Sequence, residues 1–164
     1  MFANTEYWRT TNYYSNIVPQ TATLNNGVWK QLEKSELEAS HNSYSIYVVA
    51  GPLYEQEIQC RVSSMDEGCL PNADEDHSIP SAYWKVIISK TGSRASAFIM
   101  PQTASKDNTH CDYIVSLDEL ELRTGLSIFS ASQTTTPKPM HDELGCSQQI
   151  RMLTQFPLKA PKLP

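Results

Sequence analysis

Two short, mostly apolar segments in the middle of the chain constrain its fold more than any other feature. Residues 83–89 and 95–100 are rich in β-branched, aromatic and other apolar side chains. That composition is typical of strands, and the segments are joined around Thr91-Gly92-Ser93, a natural place for a turn. The sequence therefore predicts a β-hairpin.

A third strand is predicted earlier in the chain. Residues 44–49 show the alternation of a strand, and Gly51-Pro52 follows as a turn that ends it. With helices to cover it, such a sheet gives an α+β domain: an antiparallel sheet with helices packed on it.

Two helices are predicted. Leu24, Val28 and Leu32 recur every four residues, which predicts a helix from about Asn25 to Ser40. A shorter helix begins at Ser116, where Ser-x-x-Glu has the form of a capping box, and ends near Arg123.

Size and charge limit the class of protein. The 164 residues predict one domain over residues 1–150 and a mobile tail over 151–164. We expect an irregular acidic loop between Cys60 and Pro80, and no apolar run is long enough to cross a membrane. The net charge of -5 argues against a clamp that holds nucleic acid tightly through many phosphates.

The cysteines are even in number and contain no Cys-x-x-Cys. The four are Cys60, Cys69, Cys111 and Cys146. This pattern favours disulfides, with reduced buried thiols as the alternative, and four cysteines allow three pairings. Disulfides predict an oxidising compartment and a secreted protein, yet residues 1–6 do not form a signal peptide.

Three longer motifs together resemble a known family. They are Asn-Ile-Val-Pro-Gln at 16–20, Leu-Asn-Asn-Gly-Val-Trp-Lys-Gln-Leu-Glu at 24–33 and Ile-Pro-Ser-Ala-Tyr-Trp-Lys-Val-Ile at 79–87. Over about residues 10–146 the chain resembles the sugar-non-specific DNA/RNA endonucleases, most closely the Serratia-type enzymes with a ββα-metal site. The resemblance implies Cys60-Cys69 and Cys111-Cys146 disulfides.

The resemblance also implies a metal site. In that family the asparagine that matches Asn25 is the sole protein ligand of a catalytic Mg²⁺, which Mn²⁺ could replace, and the glutamate that matches Glu33 helps to order the ion's water shell. On a regular helix the two side chains lie about two turns apart and roughly 80° around the axis. From the residues alone, Asn25 could instead be a helix N-cap, and Glu33 an exposed carboxylate near Lys30 or Lys34.

Other site residues follow from the same resemblance. Asn16 matches a polar position to which we assign a catalytic role with Glu33, and Asn12 and Gln20 match positions that we assign to substrate binding. Backbone capping in a loop is the alternative for these three residues. Trp29 and Trp84 are predicted to belong to the core rather than to stack on bases.

Two departures from the family pattern bear on activity. The Asp-Arg-Gly-His motif, whose histidine is the general base, would precede residue 16 and is absent, since His41, His77, His110 and His141 all follow Asn25. Leu37 stands where many members carry an arginine one turn after Glu33.

The sequence predicts an endonuclease that hydrolyses DNA and RNA with Mg²⁺ and can form a homodimer, as family members often do. As written, the chain should be inactive because the base is missing, and we expect that N-terminal sequence has been lost. A catalytically silent homologue that binds nucleic acid or a protein is the alternative.

Overall fold

The computed structural model describes residues 18–42, 45–56, 58–61, 69–70, 74–129 and 135–147. Asn12, Asn16 and the tail predicted over 151–164 lie outside these ranges. The described residues form an α+β structure with an antiparallel sheet, as the sequence predicts. Its helices do not include one both long and apolar enough to span a bilayer.

The predicted hairpin forms the centre of the main sheet. Strand β4 (Ala82–Ser89) pairs antiparallel with β5 (Ala95–Pro101), with Trp84 opposite Ile99. Gly92 adopts a φ of 70° in the connecting turn, a conformation that glycine enters without steric penalty.

Two further strands flank the hairpin. Strand β1 (Ile46–Leu53) pairs with β4, and β6 (Ile114–Val115) pairs with β5, which gives the order β1-β4-β5-β6. Strands β2 (Ile58–Cys60) and β3 (His77–Ile79) form a separate antiparallel pair. The region between Cys60 and Pro80 is therefore not irregular throughout, because β3 orders its C-terminal end.

The predicted end of β1 was wrong. The strand does not stop at Gly51-Pro52 but continues to Leu53. Proline is tolerated because β1 lies at an edge of the described sheet, where a missing N–H disrupts no inner ladder. Glycine is needed because a Cβ at Gly51 would lie 2.9 Å from Cζ2 of Trp84.

Two helical regions cover opposite faces of the sheet. The first comprises α1 (Ala22–Leu24), a π-helical turn (Asn25–Trp29) and α2 (Lys30–His41). Its core includes Leu24, Leu32, Tyr83, Ile87, Phe98 and Met100. Helix α3 (Leu117–Thr124) buries Leu120 in a second core that includes Leu53, Trp84, Val86, Ala97 and Ile99. Because side chains alternate along a strand, β4 supplies both cores.

The start of α3 agrees with the sequence prediction. The Ser116 hydroxyl accepts a hydrogen bond from the Glu119 N–H at 3.0 Å, and the helix ends at Gly125 with a φ of 69°. The Glu119 carboxylate also lies 3.3 Å from Arg123, one turn along the helix.

Both disulfides implied by the resemblance are present in the structure. Cys60 is bonded to Cys69, and Cys111 to Cys146. The second closes a separation of 35 residues and ties the 3-10 helix His110–Tyr113 to the turn that ends at Gly145.

Candidate metal and catalytic site

The helix that carries the candidate site is interrupted, contrary to the prediction of one regular helix from Asn25 to Ser40. Helix α1 starts earlier, with the Thr21 hydroxyl as its N-cap, and the π-helical turn follows. Gly27 has φ -96° and ψ -117°, values that are not helical. The 80° relationship between Asn25 and Glu33 therefore does not apply, because it assumed a regular helix. Residues 25–29 are therefore a kinked connection between two helical segments, with the kink at Gly27.

Asn25 lies at the junction between α1 and the π-helical turn. It is not the N-cap, and its backbone N–H donates to the Thr21 carbonyl at 2.9 Å. The residue is exposed, and its side chain makes no hydrogen bond to another residue within the described ranges. Asn25 therefore lies on the surface without a side-chain partner among the described residues.

Glu33 lies in the first turn of α2 with its side chain 55% exposed. Its Oε1 accepts a hydrogen bond from the Trp29 indole nitrogen at 3.1 Å and lies 4.0 Å from Lys85 Nζ. The expected neighbour Lys34 instead pairs with Glu38 at 3.7 Å. Glu33 is therefore exposed, but Trp29 and Lys85 restrain the position of its carboxylate.

Lys85 was missed by the sequence analysis. It lies in the middle of β4 and is only 3% exposed. Its Nζ lies 3.0 Å from Glu36 Oε1 and 4.1 Å from the centroid of a Trp29 ring. The signal was available, because a lysine between the apolar residues of a buried strand is rare unless it is paired.

Glu36 is the main partner of this buried ammonium. Burial raises the pKa of the Glu36 carboxyl above its ordinary value of 4.5, and the nearby Lys85 partly opposes that effect. Glu36 Oε1 lies 3.0 Å from Lys85 Nζ, so the two groups form an ion pair.

The segment that contains Gln20 is fixed to the end of β5 by Gln102, a second residue that sequence reasoning missed. Gln102 is 5% exposed; its Oε1 accepts from the Thr21 N–H at 2.9 Å and its Nε2 donates to the Pro19 carbonyl at 2.8 Å. The Tyr83 hydroxyl donates to the same Pro19 carbonyl at 2.5 Å. Burial raises the pKa of Tyr83, so this hydroxyl keeps its proton.

Gln20 lies beside the helix of the candidate site. It lines an open cavity of about 390 Å³ together with Trp29 and Tyr83. Its Nε2 is enclosed and has no hydrogen-bond partner among the described residues. A buried amide without a partner costs free energy, which favours a role toward a ligand.

The two tryptophans pack as predicted. Trp84 is 6% exposed in the second core. Trp29 is partly buried and meets Tyr83 edge-on, with ring centroids 5.8 Å apart. Leu37 is 56% exposed on α2 and offers no charge to a phosphate.

Within the described ranges, the four histidines make no hydrogen bond or ion pair with Asn25 or Glu33. His41 is at the far end of the 12-residue α2, about 18 Å along the axis from its start. His110 is buried, with Nε2 2.9 Å from the Leu144 carbonyl, and His77 contacts the backbone of Leu70. His141 lies in the turn before Cys146, and burial lowers its pKa. The backbone N–H of His110 does reach the helix of the candidate site, where it donates to Gln31 Oε1 at 3.3 Å.

Comparison with known proteins identifies similar nucleases. The sequence profile of the family described as DNA/RNA non-specific endonuclease matches residues 2–135. A nuclease of Serratia marcescens is 37% identical over 151 residues, which are 85% of this chain and 53% of that protein. The human mitochondrial nuclease EXOG is 32% identical over 127 residues, covering 73% of this chain and 34% of the relative.

A solved structure supports the fold. The crystal structure of an EndoG/EndoGI complex matches with a TM-score of 0.54 at 22% identity, over 77% of this chain and 54% of that one. The chain thus spans about half the length of the Serratia relative and a third of the human one.

Proposed function

Because the chain belongs to the DNA/RNA non-specific endonuclease family, we propose that it contributes the metal-binding half of an endonuclease that hydrolyses phosphodiester bonds in DNA and RNA. The observation that carries the proposal is that the exposed residue Asn25 lies just before the kink at Gly27, followed on α2 by the restrained carboxylate of Glu33. The two disulfides fit an oxidising compartment, and we propose secretion.

The donor atoms at this site fit Mg²⁺, with Mn²⁺ as a substitute. Asn25 and Glu33 both offer oxygen, the ligand that these ions prefer, and both are accessible. A hard cation held by a single protein ligand keeps several water molecules and therefore binds weakly. Such an ion would neutralise charge on the scissile phosphate and stabilise the leaving oxygen.

Each residue of the candidate site would then have a separate role. Asn25 binds the ion without cancelling its charge, because an amide is neutral. Glu33 orders water through the part of its carboxylate that faces solvent. Gln20 is proposed for substrate binding from the family resemblance and from its place in the lining of the cavity beside Trp29. Asn16 in catalysis and Asn12 in substrate binding, both outside the described ranges, are proposed on the family resemblance alone.

The proposed reaction also needs a general base. Because residues 1–24 contain no histidine, we propose that residues 1–164 alone cleave slowly or not at all, since a general base contributes about 10²–10⁴ in rate. Leu37, which offers no charge to a phosphate, favours a second candidate function: a silent homologue that binds nucleic acid or a protein partner, with a homodimer as one form.

Metal binding and cleavage test the proposal separately. Mn²⁺ binding to residues 1–164, followed by electron paramagnetic resonance, should weaken strongly in Asn25→Ala and change little in Asn26→Ala, a matched control on the adjacent exposed residue. Unchanged binding in Asn25→Ala would remove the metal from this turn.

Cleavage of plasmid DNA and of RNA in Mg²⁺ should be measured for residues 1–164 and for the product of the longest reading frame that contains them. We expect activity only in a longer form that supplies a histidine, and its loss in Asn25→Ala. If residues 1–164 degrade DNA as fast, the base lies within them, and His41→Ala is the next variant. If no form cleaves, the silent homologue is favoured.

A further inference from the structure

We infer that Lys85 is a positioning residue, which holds the carboxylate of Glu33 in the orientation that the proposed endonuclease requires. The effect of Lys85 on catalysis rests on the proposed function. Its effect on the orientation of Glu33 can be tested without any cleavage. It starts from a lysine that packing alone does not explain.

An apolar residue would fill the position of Lys85 at lower free-energy cost. Lys85 faces the α2 side of the sheet between Tyr83 and Ile87, both in the first core. Burying an ammonium costs several kcal/mol per ion, and replacing a buried ion pair by apolar residues is often neutral or stabilising. The lysine is therefore better explained by what its charge contacts than by stability.

Among the described residues, the three groups that contact the Lys85 ammonium belong to the helix of the candidate site. They are the Trp29 ring at 4.1 Å, Glu33 Oε1 at 4.0 Å and Glu36 Oε1 at 3.0 Å. Trp29, Glu33 and Glu36 are spaced i, i+4 and i+7, so they lie along one face of the helix. A single buried charge thus connects β4 to this face.

Glu33 is restrained through only one of its oxygens. Oε1 accepts the Trp29 N–H at 3.1 Å and faces Lys85, whereas Oε2 takes part in neither contact. Because the side chain is 55% exposed, the second oxygen can meet water or a ligand shell. Lys85 and Trp29 therefore fix the direction in which Glu33 acts.

Glu36 allows Lys85 to do this without neutralising Glu33. The Lys85 ammonium lies 3.0 Å from Glu36, whose side chain is 13% exposed. It lies 4.0 Å from Glu33, so the ion pair with Glu36 is the shorter one. The buried ammonium is thus paired mainly with the buried carboxylate. Glu33 keeps its negative charge toward solvent.

The test uses the indole N–H signal of Trp29 in ¹⁵N-labelled residues 1–164. The chain has three tryptophans, and Trp29→Phe assigns the signal. In Lys85→Met we expect the Trp29 proton to move upfield, because Glu33 loses its restraint and the hydrogen bond lengthens. Lys34→Met makes the same change at an exposed lysine next to Glu33 on α2, and it should leave the Trp29 signal in place.

Two further variants separate positioning from folding. Lys85→Met/Glu36→Gln leaves no unpaired buried charge and should give the same upfield shift in a folded protein, whereas Lys85→Arg should restore much of the wild-type signal. A folded Lys85→Met with an unchanged Trp29 signal would overturn the inference. So would failure of both Lys85→Met and the double variant to fold, because Lys85 would then act through stability.

A kinetic measurement extends the test to the reaction. In a cleaving form of the protein, Lys85→Met should lower kcat on the order of tenfold with little change in KM, since misplacing a catalytic group affects the transition state more than binding. A rise in KM with unchanged kcat would contradict this part. If no form cleaves, the proposed function fails while the indole signal still decides the geometry.

Discussion

The indole nitrogen of Trp29 donates a hydrogen bond of 3.1 Å to the carboxylate of Glu33, one helical turn further along the chain. Trp29 belongs to the π-helical turn and Glu33 to α2, so the bond joins the irregular and regular parts of the helix. It also gives Trp29 a role beyond packing. Trp29 also packs on Tyr83 in the sheet. Its hydrogen bond therefore fixes the position of the Glu33 carboxylate relative to the core.

Replacing Trp29 by phenylalanine should lower cleavage by a cleaving form of the protein. The variant keeps an aromatic ring beneath Lys85 but removes the donor to Glu33. Loss of one such bond is worth about 0.5–1.5 kcal/mol, which corresponds to roughly two- to twelve-fold in rate. Steady-state kinetics measures the effect. The double variant Trp29→Phe/Glu33→Ala should cleave at nearly the same rate as Glu33→Ala alone. Full additivity of the two changes would show that the bond does not matter for catalysis.

Gln102→Ala should destabilise the protein and loosen the segment before α1. The variant removes the hydrogen bond that Oε1 accepts from the Thr21 N–H and the one that Nε2 donates to the Pro19 carbonyl. The Thr21 N–H loses its partner, whereas the Pro19 carbonyl still accepts from the Tyr83 hydroxyl. We expect a loss of about 2–3 kcal/mol in unfolding free energy, measured by urea denaturation. Gln56→Ala, on an exposed glutamine, is the matched control and should cost little. Equal losses in the two variants would argue against the anchoring role.

The contribution of Glu36 to stability should fall as pH rises. Its folded pKa is raised above 4.5 by burial, so the folded state binds this proton more tightly than the unfolded state does. The stabilisation is therefore complete below the ordinary pKa and is lost as pH increases through the raised folded pKa. The difference in unfolding free energy between wild type and Glu36→Gln should decrease from about pH 4 to pH 7. An increase over that range would contradict the assignment.

The two disulfides should differ in their effect on stability. Removing Cys111-Cys146 with alanine should cost about 4 kcal/mol and removing Cys60-Cys69 about 2.5 kcal/mol, because the chain-entropy model penalises the longer loop more. The loops have separations of 35 and 9 residues. Denaturation of the two double-alanine variants measures this, and non-reducing peptide mapping verifies the pairing. A larger loss from the short loop would contradict the entropic explanation.

Several features were determined by local sequence. The hairpin of β4 and β5 follows from two β-rich segments and a turn, and the start of α3 follows from Ser116 three residues before Glu119. These elements depend on contacts between near neighbours, so their signals survive in the sequence. The motifs around Asn25 and Glu33 likewise placed the candidate site on the helix near the N-terminal end.

The remaining features depended on contacts between distant residues. β1 passes through Gly51 and Pro52 because Trp84 lies against the glycine and the strand occupies an edge. Gln102 meets Thr21 across 81 residues, and no local periodicity records such a pairing.

Contacts between distant residues also explain the partners of Glu33. Sequence reasoning placed Lys30 or Lys34 beside it, since neighbours on a helix are three or four residues apart. The tertiary structure instead brings Lys85 from β4 under the helix, where burial keeps its ammonium next to Glu36 and Glu33. The sequence by itself thus determined which residues are candidates for the chemistry, because the motifs are local. Only the packing of helix on sheet decided which groups contact them, because a buried charge takes its partner from whichever element covers it.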